Sequence, residues 1–305
     1  MRSVPLLTGA VLMSLLAIHA SAQEDIHARY GRADMGISCA TAAQAPFTRG
    51  LLQLHSFAWE LSRASFEEAA AADPDCAMVY WGIAMTLYDG LHEPPDPEAV
   101  AAALAALDNA RNAATKTARE ASYVEATAEL FEGYPDVPRV QRDRNYSNAL
   151  WRIVEDYPDD EEAEIFYTLS LLALARRGED PTLVMQAAAL LEPLFDALPE
   201  HPGVAHYLIH AYDDAGDRQP GLEAARRYAG IAPLMTHAQH MPSHIFAGLG
   251  LWAENNASNY TALEADPRYY HALMYIVYGH LQLGQWREAE RLIAELEAFA
   301  DSPQG

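Results

Sequence analysis

The sequence predicts an all-α protein, folded as a right-handed superhelix of stacked helix pairs. From Pro46 onward, alanine-rich segments alternate with glycine and proline, and no run shows the alternation of a half-buried strand. The stretch from His201 to His271 also matches its surroundings at an offset of 34 residues. The residues that recur at this spacing are Pro199, Pro233 and Pro267, Gly216, Gly250 and Gly284, Trp252 and Trp286, and Glu254 and Glu288. A period of this length is typical of helix–turn–helix repeats, which bury their apolar faces by stacking.

The N-terminus, residues 1–22, is predicted to be a secretory signal peptide. Arg2 supplies a basic start, Val4 to Ile18 an apolar run, and Ala20 to Ala22 a small-residue cleavage site. The apolar run is shorter than the roughly 20 residues that a spanning helix needs, so a retained anchor is the less favoured alternative. We therefore expect a mature chain that begins near Gln23 and is soluble in the periplasm or outside the cell.

Residues 46–300 are predicted to form one continuous helical repeat domain, after an extended lead-in over residues 23–45. The repeat spacing is irregular in the middle third, where Pro158 and Pro199 are 41 residues apart. No linker rich in glycine, serine or proline divides the chain there. Because each helix pair needs neighbours to bury its apolar face, degenerate repeats explain this region better than a separate domain does.

The composition restricts the kinds of partner that the protein could bind. The formal net charge is −23, which argues against nucleic acid and against an anionic membrane surface, because both require basic residues. The two cysteines, Cys39 and Cys76, form an even pair in a chain predicted to be secreted, which favours a disulfide over two buried thiols. Neither cysteine lies near another metal-ligand cysteine, so a zinc–thiolate site is not expected.

Five passages resemble a group of secreted bacterial tetratricopeptide-repeat proteins. They are LHSF (54–57), DPDCAMVYWGIAM (73–85), HPGVAHYLIHAYD (201–213), HMPSHIF (240–246) and YHALMY (270–275). The resemblance implies a solenoid of tetratricopeptide-like helix pairs and secretion, and it implies no reaction. The chain also lacks H-E-x-x-H, G-x-S-x-G, a phosphate-binding glycine loop and C-x-x-C-H. The sequence therefore does not decide whether the protein is an enzyme.

Seven of the twelve histidines lie between His201 and His271, and most of them follow the repeat. With the closing proline at repeat position 32, histidines occupy positions 2, 5 and 9 of successive first helices. By resemblance to the tetratricopeptide fold, positions 2, 5, 9, 12 and 13 line the concave groove, and residues three or four apart do share one helix face. The residues placed there are His237 and His271 (position 2), His206 and His240 (5), His210 and His244 (9), Asp213 (12) and His55 (13).

These residues predict a transition-metal site. His206 with His210, and His240 with His244, are i, i+4 pairs that could supply four nitrogen ligands to one ion. His237, His271 and Asp213 are expected beside them, with Asp213 as a further ligand or as a partner that orients an imidazole. Imidazole ligands suit copper or zinc, and iron if Asp213 joins. The alternatives are a groove that binds a peptide or protein partner, or a metal-free acid–base site.

Three further positions carry separate expectations. His55 either completes the metal site from across the groove or is satisfied in a contact between helices. Pro242 separates His240 from His244 and should kink or delay their helix, because proline lacks an N–H and restricts the preceding residue. His201 is expected to cap a helix, and His280 to pack between helices.

Overall fold

The computed structural model describes residues 25–300 except 93 and 179, together with all side chains in that range other than those of 299 and 300. Residues 25–30 are helical (α1). The remaining helices are α2 (Thr41–His55), α3 (Trp59–Ala72), α4 (Ala77–Met85), α5 (Pro97–Asn112), α6 (Ala118–Ala128), α7 (Arg139–Asp156), α8 (Glu161–Arg176), α9 (Thr182–Ala197), α10 (Pro202–Ala215), α11 (Leu222–Ile231), α12 (Thr236–His240), α13 (Pro242–Gly248), α14 (Trp252–Ala265), α15 (Tyr270–Gln282) and α16 (Trp286–Ala300). The predicted signal peptide lies outside the described residues.

The described chain is an α-solenoid, as the repeat predicts, and it contains no β-strand. Helices that follow one another in sequence pack as neighbours, for example α2 with α3, α4 with α5 and α14 with α15. One continuous apolar core runs from Met35 to Phe246, and a smaller cluster forms around Ile276 near the C-terminal helices. None of the described helices is long and apolar enough to cross a membrane.

The solenoid brings its first helix pair against the middle of the chain. Helix α2 contacts α10, although about 150 residues separate His55 from His206. The turn after α2 consequently lies over the helices that carry the repeated histidines. His55 can approach the groove only if the superhelix turns far enough to bring its first helices over later ones. The contact between α2 and α10 shows that it does.

The N-terminal lead-in differs from the expectation. Residues 25–30 are helical, and α2 begins at Thr41 instead of near Pro46. Pro46 lies inside α2, where it removes a single backbone hydrogen bond in the second turn and is itself buried. Burial of the proline ring in the core offsets that loss, so proline does not mark the start of this helix. Residues 31–40 have no helix or strand.

The predicted disulfide between Cys39 and Cys76 is present. It joins the segment before α2 to the residue that precedes α4, across a separation of 37 residues. Closing a loop of this length stabilises a protein by about 3–4 kcal/mol, chiefly by restricting the unfolded chain.

Cys39→Ser should therefore lower the free energy of unfolding by about 3–4 kcal/mol. The measurement is denaturant unfolding of the variant beside oxidised wild-type protein, with reduced wild-type protein as the matched control. The variant and the reduced protein should unfold at similar denaturant concentrations. A variant that unfolds together with the oxidised protein would show that the bond contributes nothing to stability.

Candidate metal centre

Six of the histidines placed in the groove gather into two clusters. Cluster A contains His206, His210 and His237, and cluster B contains His240, His244 and His271. In each cluster one ring nitrogen from every histidine lies within 4.8 Å of the others. Each cluster combines an i, i+4 pair with the position-2 histidine of the following repeat, so cluster B is cluster A displaced by 34 residues.

The two i, i+4 pairs lie in different clusters, and whether they serve one ion stays a prediction. Inside the clusters, Nε2 atoms approach to 3.0 Å between His206 and His237 and to 3.1 Å between His240 and His244. The clusters adjoin, with ring centroids 6.2 Å apart for His237 and His240 and 6.5 Å apart for His210 and His244. In stacked repeats, the N-terminal end of the first helix of one repeat lies beside the middle of the first helix of the repeat before it. The position-2 histidines therefore complete each pair.

The helix carrying His240 and His244 is interrupted at Pro242, as expected. Helix α12 ends at His240, and α13 begins at Pro242, which occupies the first helical position. Met241 between them keeps right-handed helical backbone angles. The interruption therefore leaves the two imidazoles on the same side, with their Nε2 atoms 3.1 Å apart.

Cluster A is buried beneath the turn that follows α2. His206 donates from Nδ1 to the carbonyl oxygen of His55 at 2.7 Å, and His237 Nδ1 lies 3.0 Å from the hydroxyl of Tyr269. The ring of Phe57 contacts all three imidazoles, at centroid distances of 4.4 to 5.9 Å. Phe57 has φ of 53°, a left-handed backbone that is costly for a side chain of this size. This strained turn positions an aromatic cover over cluster A.

The hydrogen bonds of cluster B fix which ring nitrogens carry protons. His240 Nδ1 lies 2.5 Å from Asn259 Oδ1, and the Asn259 amide nitrogen donates to the carbonyl of Asn255, so the oxygen must face the histidine. His244 Nδ1 lies 3.0 Å from the carboxylate of Asp213. Amide and carboxylate oxygens only accept, so both Nδ1 atoms are donors. In neutral imidazoles both Nε2 atoms are then unprotonated.

Asp213 accepts from His244 Nδ1, which is the contact expected of a partner that orients an imidazole. Its other oxygen accepts from Arg218 Nε at 2.7 Å, which anchors the carboxylate. The hydroxyl of Tyr275 lies 3.2 Å from His244 Nδ1 as well. Burial acts to raise the pKa of Asp213, but hydrogen bonds and charges from His244 and Arg218 outweigh it and lower that pKa. The carboxylate is therefore ionised and is a strong acceptor for His244.

A cavity of about 650 Å³ opens onto both clusters. His210 and His237 reach it from cluster A, and His244 and His271 from cluster B. The other residues that line the cavity are mostly apolar or aromatic. They are Phe57, Ala58, Trp59, Leu61, Leu234, Met235, Met241 and Tyr269, together with the polar residues His92, Arg176, Thr236 and Asp266. His92, an exposed residue in the loop after α4, is among the residues that line this cavity. The cavity is the shared access to both clusters.

Burial keeps most of these imidazoles neutral. It lowers the pKa of His206 to about 3, against the opposing effect of its bond to the His55 carbonyl. Burial, reinforced by the neighbouring histidines, also holds the pKa values of His210, His237 and His240 well below the ordinary value. Neutral imidazole is the form that binds metal ions, so protons compete weakly for these ligands near neutral pH.

The same shifts predict acid sensitivity of the metal-free protein. The unfolded chain takes up protons on these histidines below about pH 6.5, whereas the folded chain does not. Stability should therefore fall as pH drops from about 6.5 to 5, by about 1.4 kcal/mol per pH unit for each such histidine. Thermal unfolding of chelator-treated protein across this window measures the effect, with His92→Gln, which alters an exposed histidine, as control. Equal melting temperatures at pH 7 and pH 5 would contradict it.

The ring of His55 lies outside both clusters, in a separate group with Glu162 and His201. It is buried, with Nε2 2.9 Å from Glu162 and Nδ1 3.0 Å from the hydroxyl of Tyr207. His201 Nε2 lies 3.0 Å from the other oxygen of Glu162, and His201 Nδ1 accepts from the Val204 amide, confirming its predicted capping role. His55 is thus satisfied in a contact between helices, and only its carbonyl touches cluster A.

Glu162 remains ionised in this buried group. Burial acts to raise its pKa, but the charges of His55 and His201 and their hydrogen bonds outweigh it and lower that pKa. Its place in the first turn of α8 also favours a negative charge. In the sequence, Glu162 is one of several acidic residues typical of a helix start, so nothing distinguished it. His280, expected to pack between helices, contacts Tyr260 of α14 at 2.9 Å.

No family model matches the sequence, and no curated protein matches it. Among solved structures, the crystal structure of yeast Tom70 is similar over 98% of this chain and 72% of that chain, with 15% sequence identity and a TM-score of 0.44. This likeness is too weak to carry a functional argument, and the fold described above rests on the helices and their packing.

Proposed function

We propose that this protein binds a transition-metal ion at cluster B and presents it to a small molecule in the groove cavity. The observation that carries the proposal is the 3.1 Å approach of two ring nitrogens, His240 Nε2 and His244 Nε2, within a group of three histidines. The Nδ1 atoms of these two rings donate to Asn259 and Asp213, so both Nε2 atoms carry lone pairs when the two imidazoles are neutral. Two facing lone pairs repel each other, and a cation bound by both removes that repulsion.

The donor set of cluster B fits copper or zinc. Its candidate ligands are three imidazoles. Two of them donate their Nδ1–H to an amide or carboxylate oxygen, the usual support for metal-binding histidines. Iron would fit if Asp213 turned from His244 toward the ion. Three protein ligands leave a coordination position open, as catalytic sites do, whereas structural zinc sites use four.

A copper or zinc ion bound there would supply Lewis acidity and would lower the pKa of a bound water. The residues of this chain do the rest. His240, His244 and His271 would hold the ion, while Asp213 and Asn259 would keep the first two rings in the binding tautomer. Leu234 and Met235 add apolar surface to the cavity wall. This arrangement supports a metal-dependent enzyme whose substrate enters the cavity.

A groove that binds a peptide is the second candidate, because helical repeat solenoids offer concave surfaces for partners. Here Phe57, in the turn after α2, and Trp59, at the start of α3, line the groove beside the histidines. The remaining volume of about 650 Å³ suits a small molecule. The geometry therefore favours a small ligand over an extended peptide. We also propose a periplasmic or secreted location, which the Cys39–Cys76 disulfide supports.

The proposal is tested by calorimetric titration of tag-free protein with Cu²⁺ and with Zn²⁺. Wild-type protein and His280→Ala should bind with the same stoichiometry, because His280 of α15 faces Tyr260 of α14 and belongs to neither cluster. His244→Ala should lose the tightest binding event. Equal binding by all three proteins would place the metal elsewhere and would leave the peptide groove as the better account.

A further inference from the structure

The two clusters share a ligand pattern but differ in the group behind one equivalent histidine. Behind His244 Nδ1 lies the carboxylate of Asp213, which can only accept a hydrogen bond. Behind His210 Nδ1 lies the guanidinium of Arg176, at 3.2 Å, which can only donate. The repeat duplicated the ligands, and the preceding helices α10 and α8 supply opposite partners. The two histidines are consequently held in opposite tautomers.

Three side chains of cluster A and its surroundings form a directional chain of hydrogen bonds without any ion. Arg176 donates to His210 Nδ1, so neutral His210 carries its proton on Nε2. His210 Nε2 then donates to His206 Nε2 at 3.1 Å, and His206 Nδ1 donates to the His55 carbonyl at 2.7 Å. His237 Nε2 lies 3.0 Å from the same nitrogen of His206 and stands outside this chain. The equivalent pair of cluster B, His240 and His244, has no such direction when both rings are neutral, because both carry their proton on Nδ1.

A metal ion at cluster A would need a lone pair on His210 Nε2. The proton would have to move to Nδ1, where it would point at an N–H of Arg176. Asp214 holds Arg176 in this place with two hydrogen bonds, of 2.7 and 3.0 Å. Movement of the guanidinium must therefore precede metal binding at cluster A.

We infer that Arg176 is a positioning residue that makes the two clusters unequal, so that cluster B binds metal first and cluster A binds only after Arg176 withdraws from His210. The order in which the two clusters bind metal rests on the proposed metal-binding function. The tautomers of the metal-free histidines follow from the hydrogen bonds alone.

Arg176→Met tests the inference, because methionine keeps the apolar stem and removes the donors. Arg226→Met is the matched control, since Arg226 is exposed on α11 and the loss of charge is the same. Both changes are made in a His244→Ala background, so that Zn²⁺ titration reports cluster A. Arg176→Met should raise the Zn²⁺ affinity of cluster A about 10–100-fold, the usual effect of a partner behind a metal-binding histidine. Arg226→Met should leave it unchanged.

A second readout does not depend on metal. Two-bond ¹H–¹⁵N spectra of the metal-free wild-type protein should show His210 protonated on Nε2 and both His240 and His244 protonated on Nδ1. In Arg176→Met, His210 should lose its exclusive Nε2 form. A His210 already protonated on Nδ1 in wild-type protein would overturn the inference, as would unchanged Zn²⁺ affinity in Arg176→Met. If no protein binds Zn²⁺ but the tautomers are as stated, the metal proposal fails and the positioning role of Arg176 stands.

Discussion

Replacing His240 with alanine is expected to abolish tight metal binding at cluster B, with a loss of about 100-fold or more in affinity. The reason is that partners behind a ligand already contribute 10–100-fold, and the ligand itself contributes more. Adding His244→Ala should then cost little further, because both imidazoles serve one ion. Adding His206→Ala to His240→Ala should instead give nearly additive losses, since His206 belongs to the other cluster.

Competition between each variant and a chelator of known affinity measures these losses for Cu²⁺ and Zn²⁺. The helical content of every variant must match that of wild-type protein for the comparison to hold. Strong coupling between His206 and His240 would restore the single four-imidazole site that the sequence suggests. Additive losses between His240 and His244 would show that they do not share an ion.

Replacing Glu162 with leucine should give the largest loss of stability, about 3–5 kcal/mol. The change leaves His55 Nε2 and His201 Nε2 without their buried acceptor, and each unsatisfied group costs about 1–3 kcal/mol. Glu162→Gln should lose much less. Its amide oxygen can accept from His201, while its amide nitrogen donates to His55 after a change of tautomer.

Denaturant unfolding of the two variants separates the contribution of the Glu162 hydrogen bonds from that of its packing. Leucine and glutamine both fill most of the volume of the glutamate side chain, but only glutamine can form hydrogen bonds. The tautomer change at His55 is open to Glu162→Gln because the hydroxyl of Tyr207 can donate to Nδ1 or accept from it. Equal stabilities of the leucine and glutamine variants would show that the hydrogen bonds of Glu162 contribute nothing measurable.

The fold and the membership of the candidate site were both accessible from the sequence, because a repeat makes position informative. A period of 34 residues places His206, His210 and their counterparts on the groove face of first helices. The proline at position 242 also predicts an interrupted helix, and the interruption does not separate His240 from His244 because Met241 keeps helical backbone angles. Such inferences depend on local geometry within one or two repeats.

The partition of the ligands was not accessible, because it depends on how far neighbouring first helices are offset. A shift of a few ångströms decides whether His237 or His240 joins His206, and the repeat pattern does not contain that distance. The groups behind the rings were missed for a similar reason. Arg176 and Asn259 come from other helices, and arginine and asparagine are common residues that do not by themselves indicate a partner of a histidine.

Contacts across the superhelix were also outside what sequence patterns predict. Glu162 joins His55 to His201 through three elements distant in sequence, and Phe57 reaches cluster A only because α2 packs on α10. Phe57 has a left-handed backbone that its side chain disfavours. Local propensity therefore gave no indication of that turn.

Elemental analysis of tag-free protein, purified without chelator and desalted, shows whether the chain carries a transition metal. We expect about one equivalent of copper or zinc per chain in wild-type protein, retained near neutral pH. The His240→Ala/His244→Ala variant, purified in parallel, should contain almost none. Wild-type protein that contains no stoichiometric metal and takes up none from added Cu²⁺ or Zn²⁺ would contradict the account.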